Sequence, residues 1–154
     1  MTPLPTASTD ATDPRVAALA AAYERLTPAS LPALLALYAD TARFKDPFNE
    51  VQGRAAIGRV FAHMFETLHE ARFVVTVAVC QGDHAFLTWD FHCRSRPTVE
   101  ALVIRGASHL VFDADGHVAV HRDYWDAAEE LYAKLPVLGA LARWAQRRLR
   151  APGG

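Results

Sequence analysis

The chain has little cysteine, almost no excess charge and no apolar run long enough to span a bilayer. Its two cysteines, Cys80 and Cys93, form no CxxC pair, which argues against a disulfide framework and against a cysteine zinc site. The net charge is −1 over 154 residues, too little for the basic field that a broad nucleic-acid surface needs. The start, Met1 to Pro14, lacks the basic flank and apolar centre of a secretory signal. A soluble cytoplasmic protein is therefore the expectation. No Gly-rich phosphate loop, GxSxG elbow, HExxH pair or internal repeat occurs. His63, His69, His84, His92 and His117 are scattered, so no metal is expected. Asp113-Ala114-Asp115-Gly116 has the flavour of a calcium loop but lacks its later ligands, and a hairpin turn explains it.

What is present is an ordinary globular composition, 51% apolar and 21% charged, in a chain long enough for one domain with a sizeable core. Residues 1–13 are rich in Pro, Thr, Ala and Ser and predict a flexible lead-in. Asp13-Pro14 is a helix start, and Val16, Leu19, Ala20, Tyr23 and Leu26 continue at helical spacing. Ser30 caps a second predicted helix carrying Leu31, Leu34, Leu35, Leu37 and Tyr38. A short extended piece over 42–46 ends at Pro47, which disfavours helix before it. A third helix follows from Arg54 to Leu68, through Ile57, Phe61 and Phe65. The pattern then turns to strands, predicted over Phe73–Cys80, Ala85–Arg94, Ala101–Phe112 and Gly116–Trp125. Short connections between them argue for antiparallel hairpins. Three helices before a strongly curved antiparallel sheet predict an α+β fold over 14–134.

Alternation on the last strand puts His121, Asp123 and Trp125 on one face and Val118, Val120, Arg122 and Tyr124 on the other. A base, an acid and a large aromatic in one row suit a reaction site, and they equally suit the solvated face of a sheet. The tail, 135–154, predicts a separate basic amphipathic helix with Leu138, Leu141, Trp144 and Leu149 against Arg143, Arg147 and Arg148. Such a helix packs on its own domain or on a second subunit, or lies on an anionic membrane surface.

Tyr23, the run Leu37-Tyr38-Ala39-Asp40-Thr41-Ala42-Arg43-Phe44-Lys45-Asp46-Pro47-Phe48, Gly53 before a helix, and the Asp115-Gly116 and Tyr124-Trp125 pairs together resemble the NTF2-like superfamily. The resemblance is to its ketosteroid-isomerase-like and SnoaL-like members and covers Val16 to Glu129. It implies a cone with an apolar pocket between helices and concave sheet, and a homodimer formed through the sheet. It implies Asp46 as general base and Tyr23 as oxyanion-hole donor. Ser108 stands where the isomerases carry a protonated aspartate, and a serine lacks that acidity, which argues against steroid isomerisation itself. The family's pocket face also implies that His121, Asp123 and Trp125 point inward.

Beside Phe44, Phe48 and apolar helix faces, Asp46 would be partly desolvated and so a stronger base. Its other role is to organise the turn before Pro47. Asp123 is near enough to orient His121, which would act as the acid or second base. Ser108 and Tyr23 would donate hydrogen bonds, while Trp89, Phe91, Trp125, Phe48 and Phe61 would shape an apolar wall. The expectation is cofactor-independent acid–base catalysis, by isomerisation, dehydration, cyclisation or epoxide opening, on a small apolar oxygenated molecule. The alternative is a non-catalytic module that binds a small molecule or lipid in its pocket, or a membrane surface or partner through its tail.

Overall fold

The computed structural model describes residues 13–97 and 101–130. Helix α1 (Pro14–Glu24) starts where Asp13 accepts the Arg15 backbone N–H at 2.9 Å, and Pro14 fills a position whose N–H would be unpaired anyway. Val16, Leu19 and Tyr23 form its buried stripe. Helix α2 (Leu31–Leu35) buries Leu31 and Leu34. It is shorter than the spacing predicts: Tyr38 opens strand β1 (Tyr38–Lys45) instead. Leu37 O accepts the Val118 N–H at 2.9 Å and Tyr38 pairs with Val118, so sheet pairing overrides local helical spacing. Strand β2 (Glu50–Gln52), helix α3 (Arg54–Thr67) and strands β3 (His69–Gln81), β4 (His84–Arg94), β5 (Leu102–Phe112) and β6 (Val118–Tyr124) follow, then the short helix α4 (Ala127–Glu130).

The strands form one sheet in the order β2-β1-β6-β5-β4-β3. The pairs from β3 to β6 are antiparallel, as expected, while β1 and β6 run parallel. This is the α+β cone, with the helices against one face of an unclosed sheet. On β4, Ala85, Leu87, Trp89, Phe91 and Cys93 are all buried while His84, Phe86 and Thr88 are exposed, the period-two signature of a sheet with one covered face. The opposite, outer face leaves Val77, Val79 and Phe86 about half exposed.

Strand β6 departs from simple alternation. Val118 and His121 both point into the core, at 0% and 1% exposure, although alternation sets them on opposite faces. The register with β5 slips between Val111↔Val120 and Phe112↔Val118, leaving Ala119 as the extra residue of a bulge that rotates the strand. Among the described residues no helix is long and apolar enough to cross a membrane. The predicted basic helix of the tail and most of the lead-in lie outside the described residues.

The start of α1 makes stability pH-dependent. The Arg15 guanidinium, then its backbone N–H, hold the Asp13 carboxyl at about 2 against an ordinary 3.8. A depressed carboxyl stabilises the fold above its ordinary value and loses that contribution as pH falls through the folded value. Asp13→Asn is therefore expected to lower the urea midpoint at about pH 7, with the deficit narrowing toward about pH 3; a deficit that does not vary with pH would contradict this.

Candidate active site

The inward face of β6 carries His121 and Asp123, and four other elements, α1, β1, β4 and β5, close around them. Asp123 sits opposite Ser108 in the β5–β6 register. His121 Nε2 lies 2.6 Å from Asp123 Oδ1, and Ser108 Oγ lies 2.5 Å from the same oxygen. On the far side of the imidazole, Nδ1 is 2.6 Å from the Tyr38 hydroxyl and 3.1 Å from that of Tyr23. The two hydroxyls also bond each other. Trp89 Nε1 reaches Ser108 Oγ at 2.8 Å.

The direction of these bonds follows from the donor inventory. An indole N–H only donates, so Ser108 accepts from Trp89 and its own proton goes to Asp123. An ionised Asp123 only accepts, so His121 must carry its proton on Nε2. In the neutral imidazole Nδ1 is then an acceptor, served by Tyr38, whose oxygen takes the Tyr23 proton. Two chains, Tyr23→Tyr38→His121 and Trp89→Ser108, thus end on one carboxylate oxygen. Burial above all raises the Tyr23 hydroxyl well above its ordinary pKa, with the charges of Tyr38 and Asp123 adding to it. Burial likewise raises Tyr38, helped by Asp123 and opposed by the bond from Tyr23. Both therefore remain phenols and donors at neutral pH.

Asp123 Oδ2 accepts no hydrogen bond among the described residues. Tyr23, Phe61, Phe73, Trp89, Ser108 and Asp123 help line an inner cavity of about 20 Å³, room for about one water. The Asp123 side chain is 17% exposed against 1% for His121, so the carboxylate is the more accessible of the pair. It also borders a wider groove of about 600 Å³ with Asp46, Pro47 and Trp125.

Among the residues singled out in the sequence, Tyr23, Ser108, His121 and Asp123 converge, with Trp89 and Phe61 on the cavity wall. Asp46 does not join them. Its Oδ1 accepts the backbone N–H of Phe48 at 2.7 Å and of Asn49 at 2.6 Å, and the Asn49 amide reaches both its oxygens. It holds the β1–β2 turn and borders only the outer groove. Phe48 and Trp125 pack edge to face at 5.4 Å, away from the inner cavity. Phe91 lies behind Phe73, ring centroids 4.6 Å apart.

Two contributors escaped the sequence reading. Tyr38 was hidden by the leucines before it, although Tyr38, Ala42 and Phe44 are the buried positions of β1. Gly106 faces Trp89 across the β4–β5 ladder. A Cβ there would stand 2.4 Å from the indole, so glycine lets the ring lie on the backbone and aim Nε1 at Ser108. Among the described residues no three His, Cys, Asp or Glu side chains are grouped to hold a metal ion.

The SnoaL-like domain family matches residues 19–121. Among solved structures, the chain is similar to a hypothetical protein with a ketosteroid isomerase-like fold from Catenulispora acidiphila DSM 44928, in complex with trimethylamine. The identity is 21% and the TM-score 0.68, covering 86% of this chain and 98% of that one. It is also similar to a putative SnoaL-like polyketide cyclase from Shewanella putrefaciens CN-32, at 16% identity and TM-score 0.64, over 78% and 97% of the two chains. A third likeness is to SalBIII, described as an epoxide hydrolase/cyclase-like enzyme in pyran ring formation in the polyether salinomycin. There the identity is 15% and the TM-score 0.64, over 73% and 91%. At such identities the likeness establishes the fold, the NTF2-like cone. Among curated proteins nothing matches the chain.

Gly106→Ala should push the indole off β5 and loosen its bond to Ser108. The expected cost is about 1–3 kcal/mol, read as a lower Tm together with a shift in tryptophan emission. Unchanged values of both would show that β5 yields and that the close approach matters little.

Proposed function

The chain belongs to the SnoaL-like domain family, and from that premise we propose that it is a cofactor-independent acid–base catalyst acting on a small, largely apolar, oxygenated molecule. One observation carries the proposal: Asp123 borders the inner cavity, one of its oxygens is fixed by Ser108 and His121, and the other accepts no hydrogen bond among the described residues. A carboxylate so held is preorganised as a base, since it needs no reorientation to accept a proton on Oδ2. His121, polarised by Tyr38, stabilises its charge through the Nε2–H bond to Oδ1. Tyr23 acts behind the histidine, its phenol bonded to Tyr38. Asp46 is then a turn residue, and the base is Asp123.

The groove bordered by Trp125, Pro47 and Asp123 is the place for the substrate body, because the inner cavity holds little more than one water. The names of SalBIII and of the Shewanella protein support ring closure or epoxide opening as the reaction type. The tightness of the inner cavity favours a second reading, a binding module that does no chemistry. The Catenulispora protein, in complex with trimethylamine, supports small-molecule binding by this fold. A homodimer through the outer sheet face belongs to the proposal as well, because Val77, Val79 and Phe86 bring apolar surface together there.

Turnover of a panel of carbonyl, hydroxyl and epoxide compounds, followed by NMR, separates these readings. Asp123→Asn is expected to cut kcat by about 10²–10⁴-fold, while Asp46→Asn lowers Tm and leaves kcat near the parent value. The reverse ranking would move the base to Asp46, and binding without turnover across the panel would favour the module. For the dimer, Phe86→Glu should convert the particle from two copies to one in light scattering; a parent that is already monomeric would end that part.

A further inference from the structure

On the outer side of the sheet edge, the β2–β1–β6 registers line up two rows of side chains. One row is Arg122, Lys45 and Glu50, and the other is Val120, Arg43 and Gln52. Three cations thus share a small area with one carboxylate. Lys45 Nζ is bonded to Glu50 at 2.8 Å, which leaves Arg43 and Arg122 without an ion pair among the described residues. Lys45 and Arg122 are direct neighbours across the parallel pair, an arrangement of like charges that destabilises a sheet and that the single Glu50 carboxylate offsets only in part. The Arg122 guanidinium lies over the Tyr124 ring, 4.9 Å from its centroid, and is held in orientation rather than left to sweep through solvent. These residues border a groove of about 390 Å³, within the range of small-molecule sites. The Glu50 carboxyl reports the local field. Lys45 is the main cause of its lowered pKa, and Arg43 and Arg122 both add to it.

We propose that this groove binds a small molecule through a phosphate group, with Arg43 and Arg122 as forked donors and Lys45 as a third positive charge. Phosphate is favoured over a lone carboxylate because two guanidinium forks and an ammonium offer more donors than two oxygens use, and they match a group with three terminal oxygens. A long polyanion is disfavoured by the net charge of −1 over the whole chain. The site is distinct from the inner cavity, because Arg43, Lys45 and Arg122 lie on the outer face while His121 points through the sheet to the other side. It does not depend on the chain being a catalyst.

Isothermal titration of the full chain with inorganic phosphate, pyrophosphate and acetate, at low ionic strength, tests the proposal. Saturable binding of one pyrophosphate per chain is expected, tighter than phosphate and far tighter than acetate. Arg43→Gln and Arg122→Gln should each weaken it about tenfold, with circular dichroism confirming the fold. Glu50→Gln should act in the opposite direction and tighten binding, since it removes the groove's acid and frees Lys45. No saturable heat with either phosphate would overturn the proposal. So would affinities that ignore the arginine variants, which would place the ion elsewhere, or a Glu50→Gln variant that binds no better than the parent.

Discussion

A carboxylate taken out of water has to be matched by donors, and the interior of this protein is arranged around that requirement at Asp123. The cost of an unmatched buried acceptor is about 1–3 kcal/mol and more for a charged one, a large part of the total stability of a domain this size. Five of the surrounding side chains meet it in series: Tyr23 and Tyr38 through His121, and Trp89 through Ser108. Because Trp89 can only donate and an ionised Asp123 can only accept, the whole chain has one polarity. The histidine tautomer is a consequence of its neighbours, not a free variable.

The bulge at Ala119 is what lets that arrangement coexist with a packed core. Without the slip, the residues before His121 would fall into strict alternation, and Val118 would face outward. With it, Val118 is buried beside its register partner Tyr38 while His121 and Asp123 still look inward. The parallel pairing with β1 then fixes Tyr38 under the imidazole. Packing and chemistry thus share the same strand and are separated by one irregular residue.

Much of this was legible in the residues. The strict alternation of β4, the Asp13-Pro14 cap and the Asp115-Gly116 turn carry local physics that tertiary structure does not overrule. So does the shared face of His121 and Asp123. What was not legible depends on distant partners. Tyr38 looks helical beside Leu34 and Leu35 until Val118 arrives to pair with it. Strand β2 is three residues long, too short for any period to show. A bulge has no sequence period at all. Asp46 illustrates a different gap. Its neighbours suit both a base and a turn, and the turn role becomes visible only with the positions of the Phe48 and Asn49 N–H groups.

The parallel β1–β6 pair also sets an order of events. Tyr23 and His121 are 98 positions apart, and Tyr38 and His121 are 83 apart. Closing such loops costs only slightly more free energy than closing short ones, yet it delays the contacts that reward it. During synthesis the N-terminal helices and β1 emerge long before β6. Until that strand arrives, β1 presents an open edge on the side away from β2, and the two tyrosines have no imidazole to meet. The nascent chain is thus most exposed to wrong strand pairing at the very edge that later backs its central histidine.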